Sequence, residues 1–304
     1  MSAKVLIVGY PEESVIRHVV TVAEQLGIPY DFFDLRAFYQ NGLMYFSSSP
    51  SHNHWLRCHE RRYFLEDYSG IYQRTILPAS SNMTSDTWSR MRSCYVGLEV
   101  MFRSFSGHVV NRPKSGWENM SKPLQMYWLS QHGFRIPPSL STSSKSDYQA
   151  FRDLGSTIYK SNSGNRSIVG RVENVEGERL QFLEHCPVLF QRQIVGKDVR
   201  VHVVQNRVFA VEIDSDAIDY RYASYQGTYR HMRPLIKVPP DIGDLCVSYA
   251  EEGGVTLAGF DFKVDLDGNW FCLEMNPTPS FESYDHVHRG QIAECLLSYL
   301  LSTS

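Results

Sequence analysis

With 304 residues, 30 Lys and Arg against 33 Asp and Glu, and a net charge of −3, the chain lacks the basic excess of a general nucleic-acid binder. Its 42% hydrophobic content, with no low-complexity block and no repeat, is that of an ordinary globular protein, and its length suits two or three lobes. The apolar run in "MSAKVLIVGY" is too short for a signal peptide, and no later run approaches a membrane span, so a reduced cytoplasmic setting without a membrane partner is expected.

"KVLIVG" (4–9) reads as an all-apolar strand of a parallel sheet. Val15, Ile16, Val19, Ala23 and Leu26 keep helical spacing, Gly27 stops that helix, and "YDFFDL" is a second strand. A βαβ opening of this kind predicts a small α/β lobe. "SGIYQRTILP" (69–78) is a further strand, followed by a long helix from Thr84 to about Ser104. "NRPKSGWENMS" (111–121) has linker composition, and Ser121 is placed to cap the helix "KPLQMYWLSQHG", with Gly133 just past its end. Strands follow at "TIYK" (157–160) and "SIVGRV" (167–172), with the loop "SNSGN" between them. Residues 188–213 alternate as three consecutive strands with a hairpin at Gln205-Asn206, and a helix runs from about Pro240 to Glu252. "AGFDFKVD" and "NWFCLEMN" form a hairpin through an Asp-Gly turn, and an amphipathic helix ends near Leu301. The fold class is an α/β lobe followed by an α+β body.

The last hairpin carries the chemistry. Glu274 and Asn276 lie two apart and share a face, and the turn brings Asp261 beside them. Two carboxylates and an amide are hard oxygen donors suited to Mg²⁺ or Mn²⁺ together with phosphate oxygens. An EF-hand does not fit "DLDGNWFCLE", because its Glu falls at the tenth loop position and not the twelfth. The alternative is a plain hairpin with exposed acids, against which the flanking aromatic and apolar residues argue. A magnesium site implies phosphates. Lys160 opens a small polar loop with Gly164 whose N–H groups suit phosphate, and Lys122 stands at a helix start where its charge opposes the macrodipole. Alternation puts Asp198, Arg200 and His202 on one face, with Arg200 either in a buried ion pair or an anion clamp. Arg221 is a second candidate of that kind.

In that order, Lys122, Lys160 and its loop, "FQRQI", Asp198 with Arg200, Asp261 and Glu274-x-Asn276 resemble the ATP-grasp superfamily over essentially the whole chain. Within it, "VVNRP…SKPLQMYWLSQHGFRIPPSLSTS", "VLFQRQIVGKDVRVHVVQNRVFAVEIDSDAIDYR" and "GFDFKVDLDGNWFCLEMNPTPSF" look like the microviridin-type macrocyclases of ribosomally made peptides, related to ribosomal protein glutamate ligases. The resemblance implies an N-terminal α/β domain at 1–115, a central lobe at 116–190 and a C-terminal lobe at 191–304, with ATP between the last two. It implies phosphate binding by Lys122 and Lys160, and adenine binding at Gln191, Arg192 and Ile194, chiefly through backbone. Asp198 would take a ribose or nearby polar contact, and Asp261, Glu274 and Asn276 would ligate Mg²⁺. Arg200 and Arg221 would steady the transferring phosphoryl group. Many relatives have Glu where this chain has Arg192, and Gly where it has Ser280.

The implied activity is ATP-dependent joining of a carboxyl to an amine or hydroxyl through an acyl phosphate, making side-chain amide or ester links in a precursor peptide of leader plus core. The alternatives are a ligase of free amino acids or small peptides and a non-catalytic nucleotide-binding protein. A homodimer is compatible with the sequence. The six cysteines (Cys58, Cys94, Cys186, Cys246, Cys272 and Cys295) form no CxxC pair. His52, His54, Cys58 and His59 are metal-ligating types in a stretch that reads as a loop, with no partner cluster of matching spacing, so a zinc site there is disfavoured. "DHVHRG" (285–290) is placed to cap the last helix, although His286 or His288 could instead face substrate. "HERRYF" and Arg74 give the first lobe a basic face, solvated or in contact with an acidic peptide.

Overall fold

The computed structural model describes residues 4–49, 53–77, 83–113, 120–163, 169–172, 180–215, 220, 230–235 and 237–302. The chain forms two compact units, one of residues 1–114, 254–257 and 280–304, the other of residues 115–253 and 258–279.

The first unit holds β1 (Val5–Gly9), α1 (Ser14–Gln25), β2 (Tyr30–Asp34), α2 (Leu35–Asn41), β3 (Leu43–Tyr45), β4 (Trp55–Cys58), β5 (Arg61–Phe64), β6 (Gly70–Gln73), α3 (Ser85–Ser104) and β7 (His108–Val110). A parallel sheet runs β2-β1-β6-β7. The uninterrupted apolar run of β1 follows from its place inside that sheet, where Val5 to Val8 are all fully buried. The stripe on α1 is buried too, at Val15, Ile16, Val19 and Ala23, with Val22 joining it, whereas Leu26 stands at the C-cap and is exposed. Thr84 caps α3 through Thr87 N–H.

Asp285 accepts from the N–H groups of Ile292 (2.7 Å) and Ala293 (2.9 Å), so "DHVHRG" does cap the helix Gln291–Leu301. The same carboxylate meets His18 Nε2 at 2.8 Å. Gly70 lets this last helix cross β6 closely, because a Cβ there would fall 2.4 Å from Leu300 O. The Asn111 amide accepts from Thr256 and Leu257 N–H and donates to Leu257 O, which pins 254–257 to this unit.

Two expectations change. Arg74 belongs to no basic face, since it is buried against Glu13, with Nε 2.6 Å from Oε1. A guanidinium buried there needs such a partner. The His-rich segment became an antiparallel sheet, β3-β4-β5, in which the His54 ring stacks on Phe46 and Cys58 is buried. His52 lies outside the described residues. Among the described residues, no group of three or more His, Cys, Asp or Glu could hold a metal.

The second unit holds α4 (Lys122–Gln131), β8 (Ser139–Thr142), α5 (Lys145–Asp153), β9 (Thr157–Ser161), β10 (Gly170–Arg171), β11 (Val188–Arg192), β12 (Gly196–Val204), β13 (Arg207–Ser215), β14 (Arg230–Pro234), α6 (Pro240–Glu252), β15 (Leu257–Asp265) and β16 (Trp270–Asn276). Ser121 caps α4 through Leu124 N–H, and Gly133 follows with φ +100°. One sheet runs β10-β9-β11-β8 and the other β14-β13-β12-β15-β16. Of "SIVGRV", the first two residues lie outside the described residues, and Gly170 and Arg171 pair with Tyr159 and Ile158.

The larger sheet has two unlike faces. Phe260 and Phe262 pack with Phe134, Tyr249 and Trp270 on one. By alternation Asp198, Arg200 and His202 on β12 and Gly259, Asp261 and Lys263 on β15 occupy the other.

Candidate active site

A cleft in the second unit lies between its two sheets. Lys160, Gln191 and Ile158 line it from the smaller sheet, and Asp198, Asp261, Lys263, Leu273 and Glu274 from the larger. The floor is the polar face just described.

Asp261 stands directly opposite Glu274, and Gly259 opposite Asn276. A bulge then intervenes, because Phe262 pairs with Cys272, leaving Leu273 as the extra residue. Strict alternation would put Cys272 on the polar face with Glu274. The bulge instead sends Cys272, fully buried, to the apolar side while Glu274 stays beside Asp261. Burial pushes the Cys272 thiol well up, with Cys246, Asp261 and Glu274 adding to the shift, so it stays protonated and is no nucleophile. Asn276 is held by an Asx turn in which its Oδ1 accepts from Thr278 N–H at 2.9 Å.

Arg200 takes part in a buried ion pair. Its Nη1 lies 2.9 Å from Asp261 Oδ1, the same oxygen that accepts from Tyr220 OH at 2.7 Å. Both partners of the pair are nearly fully buried, and the Arg200 Nε donates to His202. Two donors on one oxygen hold the Asp261 carboxylate in a set orientation. Two carboxylates and an anchored amide on one face fit a hard divalent cation that also takes phosphate oxygens.

Asp198 is paired with Lys263 (Nζ to Oδ2, 2.8 Å), a residue that sequence reasoning did not single out. The signal was present, since Lys263 shares the parity of Asp261 on β15. Lys160 is buried in the cleft wall. Lys122 donates from its main-chain N–H to Asn162 O at 2.8 Å, and its Nζ donates to Ser163 O. The two lysines thus flank one loop. Gly164 and Arg221 lie outside the described residues.

The connection between the sheets separates main-chain from side-chain roles. Gln191 is buried and donates to Ser139 Oγ at 3.0 Å. The Arg192 guanidinium donates to Gly155 O, Phe151 O and Thr157 Oγ1, and lies over the Phe151 ring. It sits at the carbonyl end of α5, where a cation is favourable. Arg192 also lines the cleft, with its guanidinium engaged at α5. Arg192 N–H and Gln193 N–H are committed to Pro138 O and Ser156 O. Ile194, which lines the cleft, makes no main-chain hydrogen bond to a described residue.

No family model and no curated protein matches the sequence. Solved structures do match in fold. The macrocyclase MdnC from Microcystis aeruginosa MRC, bound with precursor peptide MdnA, aligns with TM-score 0.81 at 20% identity over 98% of this chain and 99% of that one. A RiPP-associated ATP-grasp ligase from Chryseobacterium gregarium, in complex with ADP and a leader and core peptide, gives 0.81 at 19% identity over 98% and 96%. The ATP-grasp ligase PsnB, complexed with a phosphomimetic variant of its minimal precursor, Mg and ADP, gives 0.80 at 21% identity over 99% of each chain. Over its full length, then, the chain has the ATP-grasp fold, in the form found in ligases of ribosomally made peptides.

Proposed function

We propose that the protein is an ATP-dependent ligase that joins a side-chain carboxyl to an amine or hydroxyl within a precursor peptide. The observation that carries this reading is the Asp261–Glu274 pair in a cleft that also holds Lys160, with Asn276 two residues along the same strand opposite Gly259. The solved structures of like fold contain ADP, Mg and precursor peptides, which supports the choice of substrates.

In this reading Ile194 offers N–H and C=O to the adenine edge, with Ile158 and Leu273 as apolar walls. Lys160 and Lys122 meet the phosphates, and Asp198 with Lys263 lies along the ribose side. Mg²⁺, held by Asp261, Glu274 and Asn276, supplies neutralisation of phosphate charge when bound. A substrate carboxylate oxygen attacks the γ-phosphorus, the bond to the β,γ-bridging oxygen breaks, and ADP leaves. The amine or hydroxyl then attacks the acyl phosphate, loses its proton, and phosphate departs. The protein positions reactants and opposes negative charge, which needs no nucleophilic side chain.

Intact-mass spectrometry tests this with ATP, Mg²⁺ and the precursor peptide encoded beside the gene, with Glu274→Gln as control. Loss of one water per bond, absent in the control, is the expected result. Gain of an amino-acid residue would instead indicate a glutamate-adding ligase, and an unchanged peptide with ADP formed from free amino acids would overturn the peptide assignment. A homodimer is part of the proposal, and light scattering of the full chain reads it directly.

A further inference from the structure

The metal-ligand strand β16 is the edge of its sheet, so one side of its backbone needs partners from outside the ladder. At Met275 those partners come from a single side chain. Gln125 on α4 donates through Nε2 to Met275 O (2.7 Å) and accepts at Oε1 from Met275 N–H (3.0 Å). Gln125 is 3% exposed, and its amide acts as one residue of an added strand. Met275 lies between Glu274 and Asn276, so clamping its two peptide groups fixes the backbone from which both side chains project. Farther along the edge, Cys272 N–H donates to Arg135 O (2.8 Å), in the segment that follows α4.

Helix α4 also reaches the other half of the cleft. Lys122 lies one turn before Gln125, and its main-chain and Nζ donors hold Asn162 and Ser163, just after Lys160. From this geometry we infer that Gln125 is a positioning residue for the divalent-cation site, coupling the loop after Lys160 to the Glu274–Asn276 strand through α4. The inference rests on the ligase reading above and goes past it, because Gln125 is neither a lining residue of the cleft nor one of the proposed metal ligands.

The test uses the full chain with Mn²⁺ as probe, titrated by electron paramagnetic resonance in the presence of ADP, and ADP binding measured separately in EDTA. Gln125→Leu removes both hydrogen bonds, and Gln125→Glu keeps the acceptor for Met275 N–H while opposing its carbonyl. We expect Mn²⁺ affinity to fall about tenfold or more in Gln125→Leu, as for other groups that orient metal ligands, with metal-free ADP affinity unchanged. Gln125→Glu should fall between Gln125→Leu and wild type. A purely structural role would lower the melting temperature and leave Mn²⁺ affinity alone, or weaken ADP and Mn²⁺ equally; either outcome, in either variant, overturns the inference. Should Gln125→Leu fail to fold, Gln125→Glu decides by the same readout. A wild-type chain that binds neither ADP nor Mn²⁺ overturns the ligase reading, and the inference with it.

Discussion

Gly259 offers a direct test of how Asp261 is oriented. It faces Asn276 across the hairpin and precedes Asp261 by two residues on the same face. A Cβ at this position would lie 2.1 Å from Arg200 Nη2, 2.7 Å from Arg200 Cζ and 2.9 Å from Pro279 Cβ. The methyl of Gly259→Ala is fixed to the strand, and Pro279 blocks retreat, so the guanidinium has to move. That breaks its 2.9 Å contact with Asp261. Overpacking alone costs about 1–3 kcal/mol, and disrupting a buried pair costs up to about 3–5 kcal/mol. Taking about 3 kcal/mol, the melting temperature should fall by roughly 6–12 °C. Gly243→Ala is the matched control, since its Cβ would meet nothing nearer than Val208 Cγ2 at 3.9 Å within α6, and it should stabilise by about 0.5–1 kcal/mol. Differential scanning fluorimetry of the three proteins, with and without Mg²⁺ and ADP, reads both effects. Gly259→Ala melting with wild type and stabilised equally by Mg²⁺ and ADP would refute the argument that Arg200 sets Asp261.

Lys160→Ala should weaken ADP binding by calorimetry, whereas Glu274→Gln should lower turnover more than nucleotide affinity; equal losses of both in the two variants would count against the assigned roles. Asn111→Ala removes three hydrogen bonds that hold Thr256 and Leu257, and should cost about 2–4 kcal/mol in urea unfolding. Burial alone would raise the Asp31 carboxyl, but bonds from Lys4, Tyr68 and Arg61 outweigh it and hold it below the usual range. A depressed pKa contributes stability above the unfolded value near 4 and loses it as pH falls through the folded one. The melting gap between wild type and Asp31→Asn should therefore be full at neutral pH and close on acidification below about 4.

The elements legible in the sequence are those whose signal is local. β1 announced itself by its apolar run, all five residues of which are buried, α4 by its Ser121 cap and Gly133, and the last hairpin by Asp267-Gly268, where Gly268 takes φ +83°. Strands β3 to β5 were not legible, because stretches of three or four residues with histidines and arginines between them carry no clear period-2 pattern. They pair only once Met44, Leu56 and Tyr63 have a core to enter.

The candidate site divides the same way. Glu274, Asn276, Asp261, Lys160 and Lys122 are visible from spacing and residue type, since side-chain parity along a strand and the oxygen chemistry of a cation site are properties of the chain itself. Which of those groups meet was decided by tertiary structure. The sequence left Arg200 open between ion pair and clamp, and only the neighbouring strand β15, with Gly259 making room, paired it with Asp261. The bulge at Leu273 reverses a parity that the sequence states plainly, placing Cys272 and Glu274 on opposite faces. Gln125 is 150 residues from the backbone it clamps. Hydrogen bonds and packing at that separation depend on where the chain returns to itself, and no periodicity along the chain encodes the return.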